Sequence, residues 1–511
     1  VSERGAIVLV GFMGAGKTTA AQRIAAERGL RMSDADAAIE ARAGTSVAEL
    51  FAREGEPAFR ALEQEVVGEL LAGARAGDVV ALSGGAVSSP AVRAALEPHL
   101  VVWLDIDAEL AWQRVAGSGR PLALERASFD ARHRERLELY EEVADVVVGA
   151  AAQLDLGALH DALEQLRRAP AGTRMLWATT ASAEYPVWVG RGVLGAGLWP
   201  AGAGSGRRFC VSDENVAPLW LDGAGGADEV IVVAPGERSK SVEQARLIWH
   251  ELAQREMTRA DHLAALGGGV VGDLAGFCAA TYQRGVALVQ VPTTLAAQVD
   301  SAYGGKTGID LPQAKNYVGA YHQPAGVLVD PATLATLPAA ELSAGYAEVI
   351  KTALIAGGSL WERIAADRPI DDAVIFDCAR TKLAIVASDE RDEGRRQVLN
   401  LGHTVGHAIE TVTEYRRYRH GEAVSLGLLA ALTLSERPQL RAQVAELLEA
   451  HGLPTRLEGV DRDAVAEASA RDKKRLGAEL PFVLVDAPGN VRHGVAVGAA
   501  ELDGALAELC A

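Results

Sequence analysis

The octapeptide Gly11-Phe12-Met13-Gly14-Ala15-Gly16-Lys17-Thr18 leaves a chain little choice of local structure. It follows the apolar run Ala6-Ile7-Val8-Leu9-Val10 and precedes a stretch that reads as helical, so its glycines fall where a strand turns into a helix. A turn of this kind lets successive backbone N–H groups curl around phosphates, and the helix N-terminus adds the positive end of its dipole. Gly14, Ala15 and Gly16 supply the cradle in this pattern, and Lys17 reaches the β- and γ-phosphates. Thr18, followed by Thr19, sets a hydroxyl beside Mg²⁺, which makes ATP with Mg²⁺ the expected ligand.

With 511 residues the chain is too long for one hydrophobic core, and about three domains are expected. Short apolar runs, among them 79–82 and 101–104, alternate with helical patterns up to about residue 168. That alternation favours a parallel sheet with helices on both faces. The segment Arg168-Ala169-Pro170-Ala171-Gly172-Thr173 reads as a linker, placing a first domain at 1–168 and the junction at 169–174. Strand runs at 185–190, 209–211, 230–233 and 263–266 suggest a second α/β domain over 175–337. After Pro338 the residues are mostly helix formers, which gives an α-helical domain over 338–511.

Fifty Lys and Arg stand against 68 Asp and Glu, a formal charge of −18, and such a surface argues against general nucleic-acid or membrane binding. Phosphorylated small molecules stay within reach, because charges separated by more than about 8 Å are screened and a few clustered cations dominate a pocket. Cys210, Cys278, Cys378 and Cys510 show no CxxC spacing and form no disulfide framework. No basic segment followed by an apolar run precedes Ala6, and no uninterrupted apolar stretch reaches membrane-helix length. A cytoplasmic location is expected.

Two further clusters carry chemistry. Leu266-Gly267-Gly268-Gly269-Val270-Val271-Gly272-Asp273 contains GxGxxG after a strand, but lacks the acidic partner about 20 residues on; a plain turn and a dinucleotide site fit it equally. In Asn400-Leu401-Gly402-His403-Thr404-Val405-Gly406-His407, two histidines four residues apart share a helix face. His420 and the acidic Glu348 complete a possible set; two His and one Glu make an open catalytic metal site. Spacing alone does not say which two histidines are ligands.

Residues 5 to 168 resemble shikimate kinase, in Met32-Ser33-Asp34-Ala35-Asp36, Glu56-Pro57-Ala58-Phe59-Arg60, Gly84-Gly85-Ala86, Arg120-Pro121-Leu122 and Arg136-Leu137-Glu138-Leu139-Tyr140. The resemblance implies that Arg60 and Arg136 hold the shikimate carboxylate, and that Gly84 and Gly85 also contact shikimate. It also implies that Asp36 binds the ring hydroxyls and accepts a proton, that Asp34 lies near the magnesium, and that Arg120 neutralises the transferring phosphoryl group. Ser83 stands where the family has a glycine.

Residues 175 to 511 resemble 3-dehydroquinate synthase, through Pro235-Gly236-Glu237 with Lys240, the glycine turn, Tyr282-Gln283-Arg284-Gly285, Pro292-Thr293-Thr294, 300–307, Lys315-Asn316, Glu348 with Lys351, Lys382, Arg396, Asn400, the histidines and Asp472-Lys473-Lys474. The likeness implies a Rossmann-like domain and a helical domain that use NAD⁺ and either Zn²⁺ or Co²⁺. By it, Glu348, His403 and His420 are the metal ligands and His407 transfers protons. Asp213, Asn215, Glu237, Lys240, Gly268, Gly269, Asp273, Thr293, Thr294, Lys306 and Lys315 would contact NAD. Asp300, Lys306, Asn316, Lys351, Lys382, Arg396, Asn400 and His407 would surround a sugar phosphate, with Lys473 or Lys474 closing over it. Arg284 would reach the phosphate of a neighbouring subunit, which implies a homodimer. A polyol dehydrogenase, the nearest rival, has no use for so many cations, and a cyclase acting on another heptulose phosphate is the second rival. Tyr303 and Asp392 depart from the usual residues of this family.

Overall fold

The computed structural model describes residues 4–116, 125–149, 154–224, 226–311, 314–471 and 480–510. The chain folds as two compact units, one of Val1–Thr179 with Glu184–Gly202 and one of Thr180–Ala183 with Ala203–Ala511. Among the described residues no helix is long and apolar enough to cross a membrane.

The first unit is built on strands β1 (Ile7–Val10), β2 (Arg31–Asp34), β3 (Asp78–Ala81), β4 (Leu100–Asp105), β5 (Val146–Gly149), β6 (Arg174–Thr179) and β7 (Glu184–Val189). They lie in the order β2-β3-β1-β4-β5-β6-β7. The first five pair in parallel, so β1, the strand before the glycine loop, is central and buried on both faces. That explains its uninterrupted apolar run. β6 continues the sheet in parallel against β5, and β7 returns antiparallel. The segment expected as a linker therefore runs directly into sheet: Thr173 is fully buried and Arg174 opens β6, with the 174–179 and 184–189 hairpin grouped in the first unit.

The second unit holds β8 (Arg208–Asp213), β9 (Glu229–Val233), β10 (His262–Gly267), β11 (Ala287–Pro292), the antiparallel hairpin β12 (Lys306–Leu311) and β13 (Ala314–Tyr321), and β14 (Gly326–Val329). Five of these make a parallel sheet in the order β14-β11-β10-β8-β9. β10 is central and fully buried, and it delivers Gly267 to the start of the helix Gly269–Thr281. Beyond Pro338 helices dominate, as expected, starting with Ala339–Ala356. The region is not wholly helical: β15 (Leu480–Ala487) and β16 (Asn490–Val497) form an antiparallel hairpin. Its sequence is an apolar, β-branched run closed by Pro488-Gly489, with Gly489 at φ +84°, a hairpin signal that the helical surroundings obscure.

Candidate active sites

In the first unit the glycine loop ends at Gly16, φ +88°, and the helix Lys17–Arg28 begins there. No side chain caps its first turn, the end of a helix that favours an anion. Lys17 folds back onto the loop, donating to the carbonyls of Gly11 at 2.8 Å and Phe12 at 3.2 Å. Gly14, at φ +85°, and Ala15 complete the loop, and Thr19 is exposed at the third helical position. Thr18 donates its hydroxyl to Asp34 Oδ2 at 2.7 Å, so a hydroxyl and a carboxylate from different elements meet beside the loop. Asp34 also caps the helix Ala35–Ala43 through the Ala37 N–H, which fixes its orientation, and Asp36 sits half-buried in that helix's first turn.

Two guanidiniums stand over the turn at Gly84-Gly85. Arg136 is buried and donates to the Gly84 carbonyl at 3.0 Å, a carbonyl that also accepts from Tyr140 at 2.6 Å. Burial, with the nearby positive charge of Arg60, weakens its hold on the proton. Arg60 is pinned by Glu63 at 2.6 Å and Glu56 at 3.0 Å. A side chain at position 85 would put a carbon 2.1 Å from the Arg60 guanidinium, so only glycine leaves that cation its place. The unexpected Ser83 donates its hydroxyl to the buried carboxylate of Glu63, the same group that holds Arg60. Glu63 escaped the sequence reading, and Tyr140, named there within its motif, was given no role. Arg120 lies outside the described residues.

In the second unit a cleft of about 1940 Å³ gathers residues from both the sheet and the helical region. Asp213, Asn215, Glu237, Lys240, Gly268, Gly269, Asp273, Thr293 and Thr294 line one part of it, and Asp300, Lys306, Lys315, Asn316, Lys351, Lys382, Arg396, Asn400 and His407 another, with Glu348, His403 and His420 alongside. Close packing explains the glycines: a side chain at 268 would meet Thr294 at 2.8 Å, and one at 272 would meet Gln290 at 2.9 Å. Lys240 is buried and bonds Asp273 at 2.8 Å. The Thr293 hydroxyl is buried without a hydrogen-bond partner, as a group awaiting a ligand would be.

Glu348 is 2 % exposed and its Oε1 faces His420 Nε2 at 3.2 Å and His403 Nε2 at 3.6 Å. His403 Nδ1 lies 3.1 Å from the Leu401 carbonyl, which can only accept, so Nδ1 carries the hydrogen. Burial, together with Lys351, pushes the ring down to about 3, and it is neutral. A bare Nε2 lone pair therefore points at a carboxylate, an arrangement that a cation between them reconciles. One ligand atom from each of the three residues lies within 4.8 Å of the others. The donor set fits a divalent metal with an open position. His407 is exposed at the edge, its ring centroid 5.2 Å from that of His403. With Glu410 and His420 it forms a second possible grouping.

The cations beside this cluster are organised around Asp300. Lys382 lies 3.0 Å and Lys351 3.3 Å from its carboxylate. Burial opposes ionisation of Asp300, but the two ammoniums outweigh it and bring the carboxyl down to about 2. Arg396 is 2 % exposed and donates to the Gly304 carbonyl at 2.9 Å. Asp392, shorter than the residue usual there, still reaches Lys306, and Tyr303 is buried with its hydroxyl on the Gln298 carbonyl at 2.6 Å. Arg284 is exposed and does not line the cleft; Lys473 and Lys474 lie outside the described residues. Glu410 was missed, although it follows His407 by three residues on the same helix face.

Residues 230–344 match the family model for the 3-dehydroquinate synthase N-terminal region, 345–475 that for its C-terminal region, and 13–167 that for shikimate kinase. The chain is 42 % identical over 335 residues to a 3-dehydroquinate synthase of Halorhodospira halophila, covering 62 % of this chain and 94 % of that protein. It is 43 % identical over 332 residues to one of Symbiobacterium thermophilum, covering 60 % and 92 %. Among solved structures, 2-epi-5-epi-valiolone synthase of Streptomyces hygroscopicus, with NAD⁺ and Zn²⁺ bound, is similar at a TM-score of 0.59 and 25 % identity, covering 65 % of this chain and 98 % of that one. A 2-deoxy-scyllo-inosose synthase complexed with carbaglucose-6-phosphate, NAD⁺ and Co²⁺ shares the fold at a TM-score of 0.59 and 23 % identity, covering 65 % and 99 %. The chain belongs to the 3-dehydroquinate synthase family and carries a shikimate kinase domain ahead of the synthase.

Proposed function

We propose that the residues gathered in the two units carry the two activities these domains bring: ATP-dependent 3-phosphorylation of shikimate, and conversion of 3-deoxy-D-arabino-heptulosonate 7-phosphate to 3-dehydroquinate and phosphate. The observation that supports the second most strongly is the meeting of three features in one cleft. These are the Glu348–His403–His420 cluster, the Asp300-centred lysines and the Gly268-Gly269 turn.

In the kinase, Lys17 and the loop of Gly14, Ala15 and Gly16 at the helix start hold the ATP phosphates, Arg60 and Arg136 bind the shikimate carboxylate, and Asp36 takes the proton of the attacking hydroxyl. Thr18 and Asp34 would hold Mg²⁺, which when bound neutralises charge on the phosphates. Arg120 is assigned to the transferring group.

In the synthase, Glu348, His403 and His420 would hold Zn²⁺ or Co²⁺, and Asp213, Asn215, Glu237, Lys240, Gly268, Gly269, Asp273, Thr293, Thr294, Lys306 and Lys315 the dinucleotide. When bound, the metal polarises an alcohol or ketone oxygen, and the dinucleotide takes up and returns a hydride so that none is consumed. Lys351, Lys382 and Arg396, with Asn316 and Asn400, hold the substrate carboxylate and phosphate in fixed positions, so that no solvent reorganisation is needed as phosphate leaves. His407 moves protons at the cleft edge, and Lys473 or Lys474 closes over the substrate. Arg284, exposed outside the cleft, is assigned to the phosphate in a second copy, and the assembly is a homodimer; sedimentation that finds only monomer at working concentration overturns this part.

The test is phosphate release from the heptulosonate phosphate by the full-length chain with catalytic NAD, with and without a chelator, beside an ATP assay with shikimate. Chelator-sensitive release without NADH accumulation supports the synthase reading. NADH accumulation from a simple polyol, or no release from metal-loaded folded protein, overturns it.

A further inference from the structure

Glu410 lies three residues beyond His407 and seven beyond His403 on the helix His403–Val412, so the three share a face. Its side chain is 3 % exposed, and one oxygen, Oε1, faces two partners at once, an imidazole and an ammonium. His420 Nδ1 is 3.5 Å from that oxygen and Lys315 Nζ is 3.2 Å from it. The second oxygen, Oε2, is buried without a hydrogen-bond partner.

Each of the two partners leads to a different part of the cleft. His420 presents its other nitrogen to Glu348 in the metal pocket, at 3.2 Å. Lys315 lies 4.5 Å from the centre of the Tyr415 ring and 3.3 Å from Glu237, on the side of the glycine turn. Glu237 is 3.8 Å from Lys240, whose ammonium meets Asp273 at 2.8 Å at the start of the Gly269–Thr281 helix. Charges alternate from Glu410 through Lys315, Glu237 and Lys240 to Asp273, and Glu410 joins this series to His420.

We propose that Glu410 is a positioning residue that couples the metal pocket to the dinucleotide cradle; this rests on the reading of the cleft given above. Holding His420 by Nδ1 fixes the ring so that Nε2 faces the ligand position, and a carboxylate there raises the basicity of the ligating nitrogen. Holding Lys315 by the same oxygen keeps an ammonium over the cradle instead of in solvent. Because one buried carboxylate serves both partners, its neutralisation weakens the hold on both at once, leaving His420 to Glu348 and Lys315 to Glu237 alone, and the two binding events share a common support.

The experiment measures zinc affinity by competition with a chromogenic chelator and NAD affinity by calorimetry, on the full-length chain. Glu410→Gln is expected to weaken zinc by about 10- to 100-fold and to weaken NAD several-fold even at saturating zinc. Lys315→Met should weaken NAD, and the double variant should lose less than the sum of the two single losses, the mark of a shared interaction. Glu410→Asp keeps the charge with a shorter reach and should fall between. If Glu410→Gln does not fold, the aspartate variant carries the test, with both affinities expected to drop together. Unchanged zinc affinity in the tested variant, or additive NAD losses, overturns the coupling. A wild-type chain that takes up neither zinc nor NAD overturns instead the reading of the cleft on which it rests.

Discussion

The ammonium of Lys382 lies 3.0 Å from the Asp300 carboxylate and donates to the Asp300 backbone carbonyl at 2.6 Å. The lysine is thus locked against one residue while its neighbour Lys351 competes for the same carboxylate. Burial pushes Lys382 down to about 8, with Asp300 opposing and Lys351 reinforcing the shift.

Its charge is therefore lost as pH rises through about 8, well below the usual lysine range. Binding of the anionic substrate should weaken over that interval, seen as a rise in KM for the heptulosonate phosphate above pH 8. Stability moves the other way. Between about 8 and the ordinary value of about 10.4 the unfolded chain binds more protons than the folded one, so the Lys382 contribution grows with pH. A Lys382→Met variant should lose the KM inflection; an inflection that persists there refutes the assignment.

Removing a member of the proposed metal set should separate the two activities. His403→Ala leaves a bare carboxylate facing one imidazole, and synthase turnover should fall by more than about 100-fold, since even outer partners of metal ligands cost 10- to 100-fold. Kinase turnover, which rests on a different compact unit, should stay within about twofold of wild type. Parallel phosphate-release and ATP assays on one preparation check both, and loss of both activities together counts against the division of labour.

Gly85→Ala puts a methyl carbon where the Arg60 guanidinium stands, 2.1 Å away. The clash is with the end of a flexible side chain, so the fold should survive, with the thermal midpoint little changed. Displacing the cation should raise KM for shikimate by about tenfold or more, the loss expected when a charge-assisted hydrogen bond of 1.5–3 kcal/mol goes. An unaltered KM would show that Arg60 does not hold the carboxylate.

Ser83→Gly restores the residue usual in the family and removes the hydroxyl that supports Glu63. Glu63 keeps Arg60 as its partner at 2.6 Å, so the effect should be a rise of a few-fold in KM for shikimate with kcat nearly unchanged. Glu63→Gln, which strips the charge from a buried partner of Arg60, should have the larger effect of the two. Steady-state kinetics in shikimate decides, and a Ser83→Gly loss confined to kcat would place the serine elsewhere in the reaction.

Local features of both sites were legible because they are written in consecutive residues. The loop from Gly11 to Thr18 and the turn from Gly267 to Asp273 need glycine for positive φ or close approach, and sit between an apolar run and a helix. That His403 and His407 share a face follows from helical spacing alone. The hairpin of β15 and β16 was not legible, since its two short apolar runs are embedded in helix-forming sequence and gain their stability from packing.

The sequence by itself determined the strand-to-helix glycine loop, the alternation that makes two parallel sheets, and the inventory of histidines, carboxylates and lysines. It did so because backbone geometry and period of burial are properties of neighbouring residues. Tertiary structure alone decided which charges meet: Ser83 with Glu63, Lys382 with Asp300, and Glu410 with both His420 and Lys315. Those partners are 10 to 95 residues apart in the chain, and only burial in a shared low-dielectric cleft turns them from solvated side chains into interacting pairs.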